Sequence, residues 1–126
     1  MSEYLVDTNV LLMTALEPAR LSKQAQRVLQ GDGLHLSVAC YWEVIIKFKK
    51  GVLDIPDPAA LWHRGIESMR ARVMPISARH VAALQSLPDH HKDPFDRIII
   101  AQAMVEGLTI VTSDALMARY PVKTIW

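Results

Sequence analysis

Short runs of β-forming residues alternate with helical stretches along the whole of this chain, and that alternation limits its possible folds more than any other feature. Glu3–Asp7, Leu34–Ser37, Arg72–Ile76, Leu108–Thr112 and Val122–Ile125 read as strands, being short runs rich in apolar residues. The intervening helices carry their own start and stop signals. Thr8–Leu16 is helical and stops near Pro18. Ser22 caps a helix running to Gly31 as its closing glycine, and Ser37 caps one through Lys50, closed by Gly51. Asp57-Pro58 and Asp93-Pro94 each place a capping acid before a proline at the first helical position, opening helices to about Arg70 and to Gly107. Ser77 caps a helix through Leu87, and a short helix covers Ala115–Arg119. Strands separated by helices are joined by crossovers, which lay them parallel and put helices on both faces. The expectation is one α/β domain, residues 1–126, with a central, mainly parallel sheet of about four to five strands.

With 51% hydrophobic residues, a 126-residue chain forms a core without covalent staples. The single cysteine, Cys40, excludes an internal disulfide and a thiolate zinc site, and its apolar setting reads as burial. No apolar run approaches the roughly 20 residues of a membrane helix. The N-terminus enters a strand without a basic, then apolar, leader. These features point to a soluble cytoplasmic protein. A formal charge of +1 argues against holding nucleic acid by bulk charge alone, so any such role needs local charge or bound metal.

Four of the thirteen acids sit where ordinary surface acids do not. Asp7 ends an apolar strand, and Asp114 follows another by two residues. The C-terminal edge of a parallel sheet is where ligands bind, and carboxylates there suit a hard cation. Glu43 lies within an apolar helical stretch, where a lone charge is costly unless paired or metal-bound. Asp96 stands three residues beyond the Asp93 cap, at the head of an isoleucine-rich helix. Each also has a bland explanation: Asp7 and Asp114 as helix caps, Glu43 as the i,i+4 partner of Lys47, and Asp96 as a complement to the helix dipole.

As a set in order, these segments resemble the PIN domain and, within it, the VapC-like toxins of bacterial toxin–antitoxin pairs. LVDTNVLL resembles the first motif of that family, SVACYWEVIIKFKKGVLDI the second, and HHKDPFDRIIIAQAMVEGLTIVTSD the third and fourth, while ARYPVKTIW fits the closing strand. DPFDRIIIAQA is the most specific piece, and the likeness spans essentially the whole chain. The resemblance implies a single-domain PIN-like fold and a metal-dependent endoribonuclease. It makes Asp7, Glu43, Asp96 and Asp114 the acidic, metal-holding and catalytic set, with Thr8, Asn9, Thr112 and Ser113 in support, Thr112 ahead of Ser113. It further implies one or two Mg²⁺ or Mn²⁺ ions, an RNA substrate, a cognate antitoxin and a homodimer.

In such a site clustered carboxylates repel and at least one is pushed up in pKa, and water is the nucleophile, so neither Ser113 nor Cys40 attacks. Glu43 or Asp96 can double as general base. Arg20, Arg27, Lys47, Lys49, Lys50, Lys92 and Arg97 are candidates for an RNA path, with Arg97 either structural or substrate-facing. His90 and His91 are explained by a polar loop. Rival readings have less behind them. A signalling receiver domain needs an acidic pair after strand one and a late lysine, and an aspartyl phosphatase needs two acids where Asp7-Thr8-Asn9 offers one. A non-catalytic protein- or RNA-binding module would use Trp42, Trp62, Met69 or Trp126, but has no need of the acids. A PIN ribonuclease of RNA maturation is the nearest alternative to a toxin.

Overall fold

The computed structural model describes residues 2–126. Met1, where the expected domain begins, lies outside the described residues. Five short strands form one wholly parallel sheet: β1 (Tyr4–Val6), β2 (Leu34–Ser37), β3 (Arg72–Met74), β4 (Thr109–Val111) and β5 (Thr124–Ile125), in the order β3-β2-β1-β4-β5. The α/β class and the strand number are as expected. The helices are α1 (Thr8–Leu16), α2 (Lys23–Leu29), α3 (Val38–Lys49), α4 (Pro58–Met69), α5 (Ala78–Ala83) and α6 (Pro94–Glu106).

Side chains alternate between the two faces of a strand, so burial of neighbours reports cover on both sides. Leu5 and Val6 of β1, and Ile110 and Val111 of β4, are all wholly buried. Each such side chain contributes roughly 1.5–3 kcal/mol, which concentrates the core on the two central strands. α1 packs on α4, α5 packs on α6, and α3 touches all three of α1, α4 and α6.

The caps stand where the sequence places them. Ser22, Ser37, Asp57, Ser77 and Asp93 each accept a backbone N–H at the head of their helix. Gly51 and Gly107 take left-handed conformations at φ 75° and 69°, closing α3 and α6 as expected. Gly31 does not. The left-handed glycine after α2 is Gly33, at φ 79°, where an added Cβ would meet the Ser2 carbonyl at 2.9 Å. Every strand but β2 is shorter than expected, and so is the fifth helix. β3 stops at Met74 rather than Ile76, because its register partner β2 ends at Ser37 and turns directly into α3. β5 pairs only over Thr124–Ile125, beside Ile110 and Val111 of β4. The fifth helix ends at Ala83 and tightens into a 3₁₀ turn over Leu84–Ser86.

The chain builds outward from β1 to β2 and β3, then crosses back to place β4 on the other flank of β1. The direction of winding reverses between β1 and β4, and their C-terminal ends flank the crevice that such a reversal opens.

Candidate active site

Asp7 is the first residue beyond β1, and its N–H still donates to the Val111 carbonyl at 3.2 Å. The chain then turns into α1. Asp7 caps that helix, Oδ1 accepting from the Val10 N–H at 2.8 Å. Its Oδ2 accepts the hydroxyl proton of Thr112, the residue that follows β4. The same Thr112 oxygen accepts the Asp114 N–H at 3.0 Å. Asp114 caps the 3₁₀ turn Ala115–Arg119, with Oδ1 accepting from the Leu116 N–H at 2.9 Å. The ends of the two central strands are thereby tied together through Thr112.

The other two acids come from helices that meet over this edge. Trp42 and Phe95, which immediately precede Glu43 and Asp96, touch edge to face at 4.9 Å. Glu43 is only 6% exposed and pairs with Lys47 at 2.9 Å, the i,i+4 pairing its spacing allowed, though buried on the acid's side. Asp96 stands in the first turn of α6, behind the Asp93 cap that holds the Phe95 N–H at 2.8 Å.

Burial pushes the Asp96 carboxyl up to about 6; the fields of Asp93, Glu43 and Asp7 add to this, and that of His91 opposes it. Burial likewise raises Asp7, outweighing the hydrogen bonds from Thr112 and Val10, with Glu43 and Asp114 adding repulsion. Each of the four acids therefore lies within the field of at least one other. Among the described residues, neither Asp7 nor Asp96 has a lysine or arginine partner to offset that cost. The Cys40 thiol beneath them donates to the Val6 carbonyl at 3.7 Å, and burial pushes it up to about 12, which removes it as a nucleophile.

The remaining expectations divide. Thr112 bonds directly to Asp7, and Thr8 is buried, while Asn9 and Ser113 are exposed. Of the two roles open to Arg97 the geometry is structural. Its guanidinium donates to the carbonyls of Leu87, Pro88 and His91 at 3.3, 2.9 and 3.2 Å and pairs with Asp89 at 3.3 Å. Lys49, Lys50 and Lys92 are exposed. Trp62 and Met69 are core and Trp126 is half-buried, whereas Trp42 stands 56% exposed beside Glu43.

Sequence reasoning explained His91 by a polar loop and did not weigh Tyr120, yet the His91 ring donates from Nε2 to the Asp114 Oδ2 at 2.8 Å and the Tyr120 hydroxyl contacts the His91 Nδ1 at 3.0 Å. No local signal marks either residue. The contacts join segments more than twenty residues apart.

Among the described residues, no three His, Cys, Asp or Glu side chains stand close enough to wrap a metal ion by themselves. The available donors are hard carboxylate and hydroxyl oxygens. Such a set suits Mg²⁺ or Mn²⁺ that retains part of its own water and takes only one or two carboxylates directly. No helix among the described residues is long and apolar enough to cross a membrane.

Known proteins resemble this chain in sequence or in fold. The ribonuclease VapC22 of Mycobacterium tuberculosis is 27% identical over 131 residues, covering 100% of both chains. A chain in the crystal structure of DNA-bound VapBC from Salmonella typhimurium superposes with a TM-score of 0.71 at 16% identity, over 99% of this chain and 98% of its own. A chain of VapBC2 from Rickettsia felis, bound to a promoter DNA fragment, gives 0.69 at 14% identity, over 97% and 96%. Both structural likenesses speak for the fold. Residues 4–123 match the PIN domain, nearly the full length of the molecule, and the chain belongs to that family.

Proposed function

We propose that this protein is a metal-dependent endoribonuclease that hydrolyses RNA phosphodiester bonds with water as nucleophile, and that it serves as the toxin of a toxin–antitoxin pair. The observation that carries the reading is the pair of acids without a cationic partner, Asp7 and Asp96. Both are pushed up by burial and by other carboxylates at the crevice between β1 and β4. A fold that needed these side chains only as caps gains nothing from desolvating and crowding them. The VapC22 likeness and the two VapBC complexes support the toxin role and a cognate antitoxin partner. A homodimer and a cytoplasmic site of action follow from the same reading.

Asp7, Glu43, Asp96 and Asp114 would hold one or two Mg²⁺ or Mn²⁺ ions. Bound metal supplies an acidified water and positive charge for the scissile phosphate. Asp7 is held rigid at both oxygens, by Val10 and by Thr112, so it acts as a fixed anchor. Glu43 is neutralised in part by Lys47. Glu43 or Asp96 would also be placed to take a proton from attacking water.

The test is cleavage of a mixed RNA pool by purified protein with Mg²⁺, Mn²⁺ or EDTA, beside Asp7→Asn and Asp96→Asn. Metal-dependent cleavage lost in both variants, each folded by circular dichroism, is expected. Folded wild-type protein that neither cuts any RNA nor binds metal by calorimetry would refute the proposal.

A further inference from the structure

We propose that His91 is the positioning residue of the acidic site, holding the carboxylate of Asp114 in one orientation through the proton on its Nε2, with the ring steadied by Tyr120. This rests on the ribonuclease reading only for what Asp114 does. The hydrogen-bond geometry stands without it.

The proton assignment follows from donors and acceptors. The Asp114 carboxylate can only accept, so the proton of the facing ring nitrogen lies on Nε2, and the Tyr120 oxygen, which accepts the His91 backbone N–H at 2.7 Å, can point its own proton at the His91 Nδ1, 3.0 Å away. A neutral ring that accepts at Nδ1 carries its proton on Nε2. That nitrogen lies 2.8 Å from the Asp114 Oδ2 and can only donate to it. The other Asp114 oxygen is fixed by the Leu116 N–H at 2.9 Å, and the Asp114 N–H by Thr112 at 3.0 Å, whose own hydroxyl proton goes to Asp7. A continuous chain of hydrogen bonds thus runs from Tyr120 through His91, Asp114 and Thr112 to Asp7.

The ring itself has little freedom. It stacks on Tyr120 at 5.4 Å and 29°, and its side chain is 8% exposed. Arg97 clamps the loop behind it through the carbonyls of Leu87, Pro88 and His91. A loop needed only to reach α6 has no use for a histidine held at its backbone N–H, its carbonyl and both ring nitrogens. Outer partners of this kind tune a carboxylate ligand without touching substrate.

The test compares full-length wild type with His91→Leu, His91→Gln and Tyr120→Phe, each alone, and with His91→Leu in an Asp114→Ala background. Mn²⁺ binding by calorimetry, RNA cleavage and Tm are measured. His91→Leu is expected to weaken Mn²⁺ binding about 10- to 100-fold. His91→Gln, whose amide still donates, should recover most of it, and His91→Leu should have no further effect once Asp114 is alanine. Two-bond ¹H–¹⁵N spectra should show the wild-type ring protonated at Nε2, and Tyr120→Phe should keep that proton there, since Asp114 still accepts it.

A lowered Tm with unchanged Mn²⁺ affinity in His91→Leu, or an equal loss with and without Asp114, would overturn the proposal in favour of a loop brace. Wild type that binds Mn²⁺ through His91 but cuts no RNA refutes the ribonuclease reading and leaves this one standing. Wild type that cuts RNA and is indifferent to His91 does the reverse. Wild type that takes up no Mn²⁺ refutes both.

Discussion

Replacing Asp96 with asparagine should make the metal-free protein more stable while abolishing its cleavage of RNA. The folded state holds this carboxyl at about 6 against an ordinary value of 3.8. Taken at face value that difference penalises the ionised fold by roughly 3 kcal/mol. Asp96 is only half-buried, and solvent screening reduces this to about 1.5 kcal/mol. Asparagine also forgoes the favourable dipole interaction of an acid in the first turn of α6, worth about 0.5 kcal/mol. The net gain is about 1 kcal/mol, or roughly 3–5 °C in Tm for a domain of this size.

The pH dependence has a definite sign. Below about pH 3.8 the group is protonated in both states and contributes nothing. Between 3.8 and about 6 the unfolded chain loses its proton first, so folding takes up a proton and stability falls as pH rises. Above about 6 the penalty is complete. Thermal unfolding of both proteins in EDTA, from about pH 4 to pH 8, should show a gap that is widest near neutrality and closes towards pH 4. A variant no more stable than wild type near neutral pH, or a gap that ignores pH, would refute the strain assigned to this site.

Lys47→Met leaves the buried Glu43 carboxylate without its partner at 2.9 Å. Because the lysine is partly exposed, a loss of about 2 kcal/mol is expected, short of the 3–5 typical of fully buried pairs, and urea midpoints will read it. Thr112→Val keeps the side chain's shape but removes both the donor to Asp7 and the acceptor for the Asp114 N–H, so about 2 kcal/mol should be lost and largely restored by Thr112→Ser. Cys40 should resist alkylation in the native protein near pH 8 and react fully once unfolded; labelling at a free-thiol rate would contradict its burial and its raised pKa.

Much of this molecule was legible because its signals are local. A serine or aspartate that accepts its helix's own N–H groups does so wherever the helix ends up, and Ser22, Ser37, Asp57, Ser77 and Asp93 all follow that rule. Strand ends were less legible because a strand extends only as far as its neighbour, and the neighbour of β3 stops at Ser37. The acids illustrate the same division. Their capping and pairing roles could be read from spacing, and Asp7, Asp114 and Glu43 do cap and pair. Those local roles coexist with the crowding at the crevice, so the bland explanation and the chemical one were never exclusive.

The sequence by itself determined the alternation of strand and helix, the points where helices begin and the residue types able to carry hard-cation chemistry, because each depends on contacts within a few residues. Only the tertiary structure decided that β4 lies beside β1, so that Thr112 meets Asp7 across 105 positions of chain. It also decided that Arg97 braces a loop, that Trp42 stands out in solvent, and that of two adjacent histidines it is His91 that reaches Asp114. These outcomes depend on which distant surfaces are pressed together when the core is buried, and hydrophobic burial has no direction of its own to record in a local motif.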